Sequence, residues 1–372
     1  MRILVNTRFL LKGKLEGFGR YTYEILSRIA RKYPQHEFFF AFDRAFDPTY
    51  IFSENVHGLV LSPPARHPLL FWWWFEVAIP RAYKRHRCDA FFSPDGFTSL
   101  AKSIDRKVIT IHDLAYLHYP GQISPAILWY YRTYMPKFVR AADQIVTVSQ
   151  STQQDLIKHF ESVEDKTSWV YNGVQPMYKP LSNAAKERVQ EQWSNGCPYF
   201  ITIGAIHPRK NIPNTIRAYE QFRKESNSRT KLLLVGRAAW QTKEVSTILA
   251  QSQHQEDIVS TGYVSEENLA ELLGAARGLV YVSLLEGFGL PIAEAMQCEV
   301  PVITSDRSSM LEVAQDAALL VDPEDVTAIA AGMRAIDSDD DQRALLVARG
   351  AQRVADFDWD LAANHVAATL FG

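Results

Sequence analysis

Short apolar runs alternate with amphipathic stretches along almost the whole of this 372-residue chain. Most runs are continuous rather than alternating, which is typical of strands that are covered on both faces of a parallel sheet. The stretches between them carry apolar residues at helical spacing, as in residues 20–33. This alternation predicts doubly wound parallel sheets of the α/β class. The predicted strands are residues 3–6, 38–42, 59–61, 90–93, 108–112, 145–149, 169–171, 200–204, 232–236, 258–261, 279–283, 302–305 and 318–321.

The alternation is interrupted once, near the middle of the chain, by a turn-rich segment at residues 172–180. A chain of this length is expected to form two domains, at roughly 150 residues each. We therefore predict a Rossmann-like domain over residues 1–178, a second over residues 179–356, and a helix within residues 357–372. Two such sheets in tandem are expected to place their strand ends around one interdomain cleft, where ligands bind.

Charge and cysteine content narrow the class of protein. The formal net charge of −2 argues against binding nucleic acid through a broad basic surface. Residues 1–180 carry 23 Lys and Arg against 16 Asp and Glu, and the remainder carries 17 against 26, so the first half is expected to face an anionic partner. No apolar run is long enough to span a membrane, and the chain begins on a strand pattern rather than a signal peptide. The separated Cys88, Cys197 and Cys298 indicate buried thiols in a reducing cytoplasm.

The most informative segment, residues 283–296, reads Ser-Leu-Leu-Glu-Gly-Phe-Gly-Leu-Pro-Ile-Ala-Glu-Ala-Met. A predicted strand ends at its first residue, and the proline marks the first turn of a helix. Gly287 and Gly289 allow the backbone to approach a ligand, and the amides at the helix start favour phosphate. Glu286 and Glu294 would be repelled by a phosphate unless they bind something else, and sugar hydroxyls are natural partners. The segment therefore predicts a nucleotide-sugar site, rather than glutamates that only complement a helix dipole.

A second segment, residues 204–211, follows another predicted strand and reads Gly-Ala-Ile-His-Pro-Arg-Lys-Asn. It precedes a helix predicted over residues 211–225, so Arg209 and Lys210 lie at a helix N-terminus, where cations oppose the macrodipole. Their placement is explained if an anion bridges the helix start and both side chains. A diphosphate leaving group fits, because it gains negative charge as its bond breaks. The alternative is two solvated surface cations.

Two shorter segments in the first half also follow predicted strands. Gly17 and Gly19 lie in Gly-Phe-Gly-Arg-Tyr, and a dinucleotide fingerprint would require glycine again at position 22, where Thr22 stands. Nicotinamide binding is therefore disfavoured, which leaves either a loop that covers a diphosphate or a plain turn. His112 stands at the carboxyl end of a strand, where a histidine is either structural or faces a ligand.

Together these segments resemble the retaining glycosyltransferases of the GT-B fold, in the group called family 4. The resemblance covers nearly the whole chain and rests on five matches in the family's order. It implies two Rossmann-like domains, with the helix in residues 357–372 crossing back onto the first. One departure is Ala205, where many relatives carry arginine; the charge there would come from Arg209 instead. The matches are Glu-x7-Glu at 286–294, Pro-Arg-Lys-Asn at 208–211, Gly-x-Gly-Arg-Tyr at 17–21, Ile-His-Asp at 111–113 and Val-Ser at 148–149.

The resemblance implies a role for each matched residue. Glu286 and His112 would contact the donor sugar, Arg209 and Lys210 would neutralise the diphosphate, and Glu294 would bind the ribose. In such enzymes the departing phosphate itself takes the acceptor's proton, and no divalent metal or other cofactor is needed. The implied catalytic residues are Glu286, His112, Lys210 and Arg209. The implied donor-binding residues are Gly17, Gly19, Arg209, Lys210, Glu286, Gly287, Phe288, Gly289, Leu290 and Glu294.

The resemblance also suggests a substrate class. Relatives with Pro-Arg-Lys-Asn often use GDP-mannose and build bacterial surface polysaccharide, including lipopolysaccharide, so the expected reaction moves mannose to a glycan or lipid-linked acceptor. UDP-sugars remain open as donors. Two alternatives also remain: an epimerase on the same fold, which would make a new sugar nucleotide without an acceptor, and a catalytically silent scaffold.

An aromatic run at residues 69–75, Leu-Leu-Phe-Trp-Trp-Trp-Phe, precedes a basic cluster. It is either a helix packed in the core of the first domain or an interfacial helix on an anionic membrane. The second interpretation would place a cytoplasmic enzyme at the inner face of the membrane. The basic cluster consists of Arg81, Lys84, Arg85 and Arg87.

Overall fold

A computed structural model describes residues 1–13, 15, 17–65, 67–237 and 243–372 of the chain. The chain divides into two compact units. The first consists of Met1–Gly173 together with Asp358–Gly372, and the second of Val174–Phe357. The division between Gly173 and Val174 lies inside the turn-rich segment at residues 172–180.

The first unit contains one sheet of seven parallel strands. The strands are β1 (Arg2–Asn6), β2 (Glu37–Phe42), β3 (Val56–Val60), β4 (Ala90–Ser93), β5 (Lys107–Ile111), β6 (Gln144–Thr147) and β7 (Thr167–Trp169). Their order in the sheet is β3-β2-β1-β4-β5-β6-β7. The helices that connect them are α1 (Phe18–Lys32), α2 (Pro68–Trp73), α3 (Ile79–Arg85), α4 (Ala115–His118), α5 (Pro125–Ala141) and α6 (Gln150–His159).

The second unit contains a sheet of six parallel strands. The strands are β8 (Tyr199–Ile203), β9 (Lys231–Val235), β10 (Ile258–Gly262), β11 (Gly278–Tyr281), β12 (Val302–Ser305) and β13 (Leu319–Val321), in the order β10-β9-β8-β11-β12-β13. The helices are α7 (Asn183–Ser194), α8 (Ile212–Glu225), α9 (Lys243–Gln251), α10 (Glu266–Gly274), α11 (Leu290–Gln297), α12 (Ser308–Ala314), α13 (Val326–Ser338) and α14 (Asp340–Arg353).

The last helix, α15 (Trp359–Phe371), belongs to the first unit and packs along α1. Arg28 of α1 donates to Asp360 at 2.8 Å, and the Cβ that an alanine would add at Gly173 lies 2.2 Å from the Trp359 backbone nitrogen. Gly173 therefore has to be glycine for the helix to dock at its observed position. Buried Trp359, Val366 and Leu370 supply the apolar face of this contact.

Both sheets have the strand order of the Rossmann fold, so the predicted fold class is confirmed. Every predicted strand is present, and its ends differ from the prediction by at most three residues. In each sheet the order reverses between the first and fourth strands, β1 and β4 in one unit and β8 and β11 in the other. Ligands of such sheets bind beside the carboxyl ends of the strands at this reversal.

The structure bears on two further interpretations of the sequence, those of the aromatic run and of the three cysteines. The aromatic run is divided: Trp74 is fully buried and donates from Nε1 to the Leu61 carbonyl at 3.2 Å, whereas Leu69 and Trp72 are exposed. A turn of π-helix at Trp74–Ala78 separates α2 from α3. The prediction of three buried thiols is wrong for Cys197, which is partly exposed; Cys88 and Cys298 are buried, and all three thiols are reduced.

Candidate functional site

The predicted catalytic residues of the second unit lie on two loops at the reversal of strand order. Arg209 and Lys210 follow β8, and Glu286 follows β11. The two strands are separated by more than seventy residues of sequence but are hydrogen-bonded neighbours, with Phe200 opposite Gly278. The sheet topology therefore brings these three side chains to one edge, as the sequence predicts from strand ends.

Arg209 and Lys210 occupy a single 3₁₀ turn, Pro208–Lys210, rather than the first turn of α8. The helix predicted from residue 211 begins at Ile212, because Asn211 adopts a left-handed conformation, with φ of 56°. The Asn211 amide nitrogen donates to the Val282 carbonyl at 3.1 Å and to the Pro323 carbonyl at 2.6 Å. This side chain ties the loop after β8 to the loop after β11.

Lys210 and Glu286 form a buried ion pair. The Lys210 ammonium donates to Glu286 Oε1 at 2.7 Å and to the Tyr281 hydroxyl at 2.7 Å. The two charged side chains are 18% and 10% exposed, and Tyr281 is buried. The ion pair is stabilised by more than the attraction between its two charges, because the lysine also donates to the Tyr281 hydroxyl.

The charges in this site determine its protonation. Burial alone would raise the pKa of the Glu286 carboxyl, but the positive charges of Lys210 and Arg209 outweigh it and lower that pKa. Burial would likewise lower the pKa of the Lys210 ammonium, and the charge of Glu286 reverses the shift. Burial raises the pKa of Tyr281 to about 12. Near neutral pH the site therefore holds a charged lysine, a charged carboxylate and a neutral phenol.

Two serines after β12 hold the backbone of Glu286. The Ser308 and Ser309 hydroxyls donate to the Glu286 carbonyl oxygen at 2.7 and 2.8 Å. Ser308 has a positive φ of 59°, a conformation that is costly for a residue with a side chain. Two donors on one carbonyl fix the direction in which the carboxylate leaves the chain.

The loop between Glu286 and α11 leads into a helix N-terminus, a position that favours anions in general. Gly289 caps α11 with φ of 99°, a conformation that favours glycine. Gly287 and Phe288, which form this loop, are buried, and the Phe288 ring packs edge-on against Phe357 with centroids 5.5 Å apart. Leu290 opens the helix, and Glu294 lies half-buried one turn along it. The amides at this helix start and the 3₁₀ turn carrying Lys210 both lie at the carboxyl edge of the sheet.

In the first unit, Gly17 ends the loop after β1 and Gly19 lies in the first turn of α1, and each is a glycine for a different reason. Gly17 precedes α1 with φ of 46°, and a Cβ there would meet open space. A Cβ at Gly19 would lie 2.6 Å from the Phe9 carbonyl oxygen, so this glycine is required by packing inside the unit. Glycine at position 19 is therefore explained without a ligand, whereas a Cβ at Gly17 would have no neighbour within 4 Å.

His112 follows β5, and its ring is held in one orientation. Nε2 lies 2.8 Å from the Pro94 carbonyl oxygen, which can only accept, so Nε2 carries the hydrogen and Nδ1 keeps a lone pair. The rings of Phe18 and Tyr21 pack edge-on against it, with centroids at 4.7 and 4.8 Å. Burial lowers the pKa of His112, which keeps the ring neutral. The residue is thus a fixed hydrogen-bond acceptor.

The structure adds three residues that sequence reasoning missed, namely Tyr281, Ser308 and Ser309. It also gives a contact to Asn211, which the sequence analysis included only as part of the Pro-Arg-Lys-Asn match. Tyr281 reads as a core residue of β11, and nothing local marks its hydroxyl as the partner of a lysine. The two serines stand just after a predicted strand, and this position was the available signal. A search of every strand end in the second half for polar side chains would have found them.

Comparisons with known proteins show which family the chain resembles in sequence and in fold. The family model described as glycosyl transferases group 1 matches residues 183–353, and that described as glycosyltransferase family 4 matches residues 15–177. The chain is 30% identical to O-antigen chain mannosyltransferase B of Escherichia coli, over 97% of both chains. It is 27% identical to O-antigen chain mannosyltransferase RfbU of Salmonella typhimurium, over 68% of this chain and 66% of that protein. The fold is similar to that of WaaG, a glycosyltransferase involved in lipopolysaccharide biosynthesis, with a TM-score of 0.77 and 14% identity over the full length of both chains.

Proposed function

Because the chain belongs to the family of glycosyl transferases group 1, with two domains of the GT-B fold, we propose that it moves mannose from GDP-mannose to a glycan or lipid-linked acceptor. The proposed reaction retains the configuration at the anomeric carbon. Two relatives named as O-antigen mannosyltransferases support the choice of sugar and of a surface polysaccharide as product. One of them is similar over 97% of both chains, which supports the same kind of reaction for the whole protein.

The observation that carries the proposal is the Lys210–Glu286 pair at the strand reversal of the second unit. A diphosphate requires a cation that remains charged, and Glu286 keeps the Lys210 pKa raised. Sugar hydroxyls require a carboxylate that remains ionised, and Lys210 and Arg209 keep the Glu286 pKa low. Both requirements of a sugar nucleotide are met by groups 2.7 Å apart.

Each side chain then has a chemical task. Lys210 and Arg209 stabilise the negative charge that the diphosphate gains as the bond to the sugar breaks. The amides at the start of α11 bind the distal phosphate and the sugar, and Glu294 binds the ribose. Glu286 orients the sugar through its hydroxyls. The departing phosphate oxygen accepts the proton of the acceptor hydroxyl, so no protein base and no divalent metal is assigned to the reaction.

For the first unit we propose that His112 accepts a hydrogen bond from a hydroxyl of the transferred sugar at Nδ1. Its fixed tautomer supports this role, because a neutral ring held through Nε2 can only accept at the other nitrogen. Gly17 is assigned to a loop that approaches phosphate, supported by the open space at its α-carbon. Gly19, in the first turn of α1, allows that helix to approach the Phe9 carbonyl oxygen closely.

A lipid-linked acceptor is supported by an apolar and basic surface of the first unit. Leu69 and Trp72 of α2 and Trp129 of α5 are exposed by 72%, 44% and 58%. Exposed Lys137 and Arg140 lie on α5. Among the residues that the structure describes, no helix is long and apolar enough to cross a bilayer. We propose that the protein binds peripherally to the inner face of an anionic membrane through this surface.

The test of the donor is a thermal-shift panel with GDP, UDP, ADP and their sugar conjugates, with EDTA and then with magnesium. A ligand that binds only the folded protein raises the unfolding temperature. Stabilisation by GDP and GDP-mannose that is unchanged by EDTA is expected. A shift confined to UDP-sugars would keep the enzyme class and overturn the donor. A shift that appears only with magnesium would overturn metal-independent binding.

The test of the site is mannosyl transfer to the acceptor glycan by paired variants. Lys210→Ala and Glu286→Gln should each lower transfer by about 10²-fold or more, since the first removes a charge that stabilises the leaving diphosphate and the second removes the carboxylate that orients the sugar. Lys224→Ala, at the exposed end of α8, and Glu187→Gln, on exposed α7, are the matched controls. Normal transfer by either site variant would refute the assignment. A new sugar nucleotide formed without acceptor would instead identify an epimerase, and folded wild-type protein that binds no donor would identify a scaffold.

A further inference from the structure

Within the part of the chain that the structure describes, one set of three metal-ligating side chains converges, and it lies outside the site described above. His118 is the last residue of α4. Asp155 and His159 lie one turn apart on α6, on the same face of the helix. All three belong to the first unit, and the proposed transfer reaction uses none of them.

The ligand atoms are close enough for a single ion. His118 Nε2 lies 2.8 Å from Asp155 Oδ2, and His159 Nδ1 lies 3.1 Å from Asp155 Oδ1. One nitrogen from each ring and a carboxylate oxygen all fall within 4.8 Å of one another. The two imidazole rings are perpendicular, with centroids 5.4 Å apart, so neither ring covers the other's nitrogen. An ion can therefore reach all three atoms after small side-chain rotations.

The chemistry of this set selects the ion. Two imidazole nitrogens and one carboxylate oxygen are ligands of Zn²⁺, whereas Mg²⁺ and Ca²⁺ prefer sites built from oxygen. The three side chains are 34%, 23% and 30% exposed, which leaves room for water as a fourth ligand. Without an ion, His118 Nε2 donates to the Asp155 carboxylate, and His159 Nδ1 donates to the Asp155 backbone carbonyl oxygen at 2.9 Å, with the carboxylate 3.1 Å away. An imidazole can carry its hydrogen on either nitrogen, so each ring can present a lone pair to a metal.

We propose that His118, Asp155 and His159 form a Zn²⁺ site that joins the end of α4 to α6. The ion would fix the segment that leaves β5 through His112, since α4 begins three residues after this histidine. It would replace a contact between side chains with three bonds to one ion. The site is independent of the proposed transfer and supplies no group to it.

Zinc affinity of the untagged full-length protein tests the site. Cys197 is the partly exposed thiol, so Cys197→Ser is the background in which every variant is made. Competition with a chromogenic zinc chelator measures stoichiometry and affinity. We expect one ion per chain in the background, binding at least about tenfold weaker in His118→Ala and His159→Ala, and no change in His57→Ala, a partly exposed histidine elsewhere in the unit.

A second measurement covers variants that fold poorly. Zn²⁺, but not Mg²⁺, should raise the unfolding temperature of the background protein, and Asp155→Asn should lose that increase while folding without metal. The proposal is overturned if the His118→Ala/His159→Ala double variant binds zinc as tightly as the background protein. It is also overturned if Mg²⁺ produces the same increase, because oxygen-preferring ions do not suit two imidazoles.

Discussion

Removing one member of the Lys210–Glu286 pair should destabilise the second unit more than removing both. Lys210→Met leaves a carboxylate that is 10% exposed without its cation, and Glu286→Met leaves an ammonium that is 18% exposed with only the Tyr281 hydroxyl. Breaking a buried pair from one side costs about 3–5 kcal/mol, and we take the lower end because both groups retain some contact with solvent. Replacing both with Met removes both desolvation costs and leaves an apolar contact.

The magnitude can be read from thermal unfolding. For a unit of this size, 1 kcal/mol corresponds to about 2–4 °C, so each single variant should lower the unfolding temperature by about 6–12 °C. The Lys210→Met/Glu286→Met double variant should lose less than either single variant. Calorimetry gives the temperatures, and hydrogen exchange of peptides from β8 and β11 assigns the transition to the second unit. Lys224→Met, at an exposed position of α8, is the control and should remain within about 0.5 kcal/mol of the wild type.

The reasoning is refuted if the two single losses add in the double variant. Additive losses would mean that each side chain is stabilised by its own surroundings and that the 2.7 Å contact contributes nothing. Single variants as stable as the wild type would mean that water or neighbouring groups replace the missing partner. Neither outcome depends on what the protein catalyses, so the test is separate from the donor and transfer assays.

Three further outcomes follow from the same geometry. The pKa of Glu286 is lowered, so its contribution to stability is complete above the ordinary carboxyl pKa of about 4.3 and is lost as pH falls through the lower folded value. The stability difference between wild type and Glu286→Met should therefore shrink as the pH is lowered below about 4, and a difference that grows with acidification contradicts it. His112→Gln keeps a donor in the position of Nε2 but removes the acceptor at Nδ1. Transfer should therefore fall at least about tenfold with little change in unfolding temperature. Unchanged transfer would exclude Nδ1 as an acceptor for the sugar. Ser308→Ala/Ser309→Ala removes both donors to the Glu286 carbonyl, at about 1 kcal/mol each, and should lower kcat/KM for transfer, whereas an unchanged kcat/KM in the folded variant would show that they do not position Glu286.

The fold could be predicted from the sequence because strands that are buried on both faces of a parallel sheet have nearly continuous apolar sequences. β4 and β5 are covered on both faces, and their sequences, Ala-Phe-Phe-Ser and Lys-Val-Ile-Thr-Ile, each contain a continuous run of apolar or β-branched residues. The bounds of an edge strand are predicted less accurately. β3 lies at the edge of its sheet and is half exposed, and its predicted start is three residues late. The strand ends then fix where loops meet, which is why residues of the loops after β8 and β11 could be assigned to one site before any contact was known.

The contacts inside the site could not be predicted, because they depend on strand register and on loop conformation. Tyr281 reaches Lys210 only because β11 and β8 pair with Gly278 opposite Phe200. Ser308 reaches Glu286 because its backbone is left-handed, a conformation that could not be predicted from the local sequence. The aromatic run shows the same limit, because its composition is compatible with either a core or a membrane surface. The fold buries Trp74 and Phe75 and leaves Leu69 and Trp72 exposed.

The ion pair also constrains how a donor enters the proposed site. The Lys210 ammonium has three hydrogens, and it donates to Glu286 and to the Tyr281 hydroxyl, so a phosphate oxygen can accept from the third. The diphosphate then places negative charge beside the Glu286 carboxylate, which shares the same cation. The hydroxyls of the attached sugar donate hydrogen bonds to that carboxylate and offset the repulsion. A nucleoside diphosphate without its sugar lacks these donors, and it should therefore bind more weakly than the sugar conjugate to the wild type, with the difference reduced in Glu286→Gln.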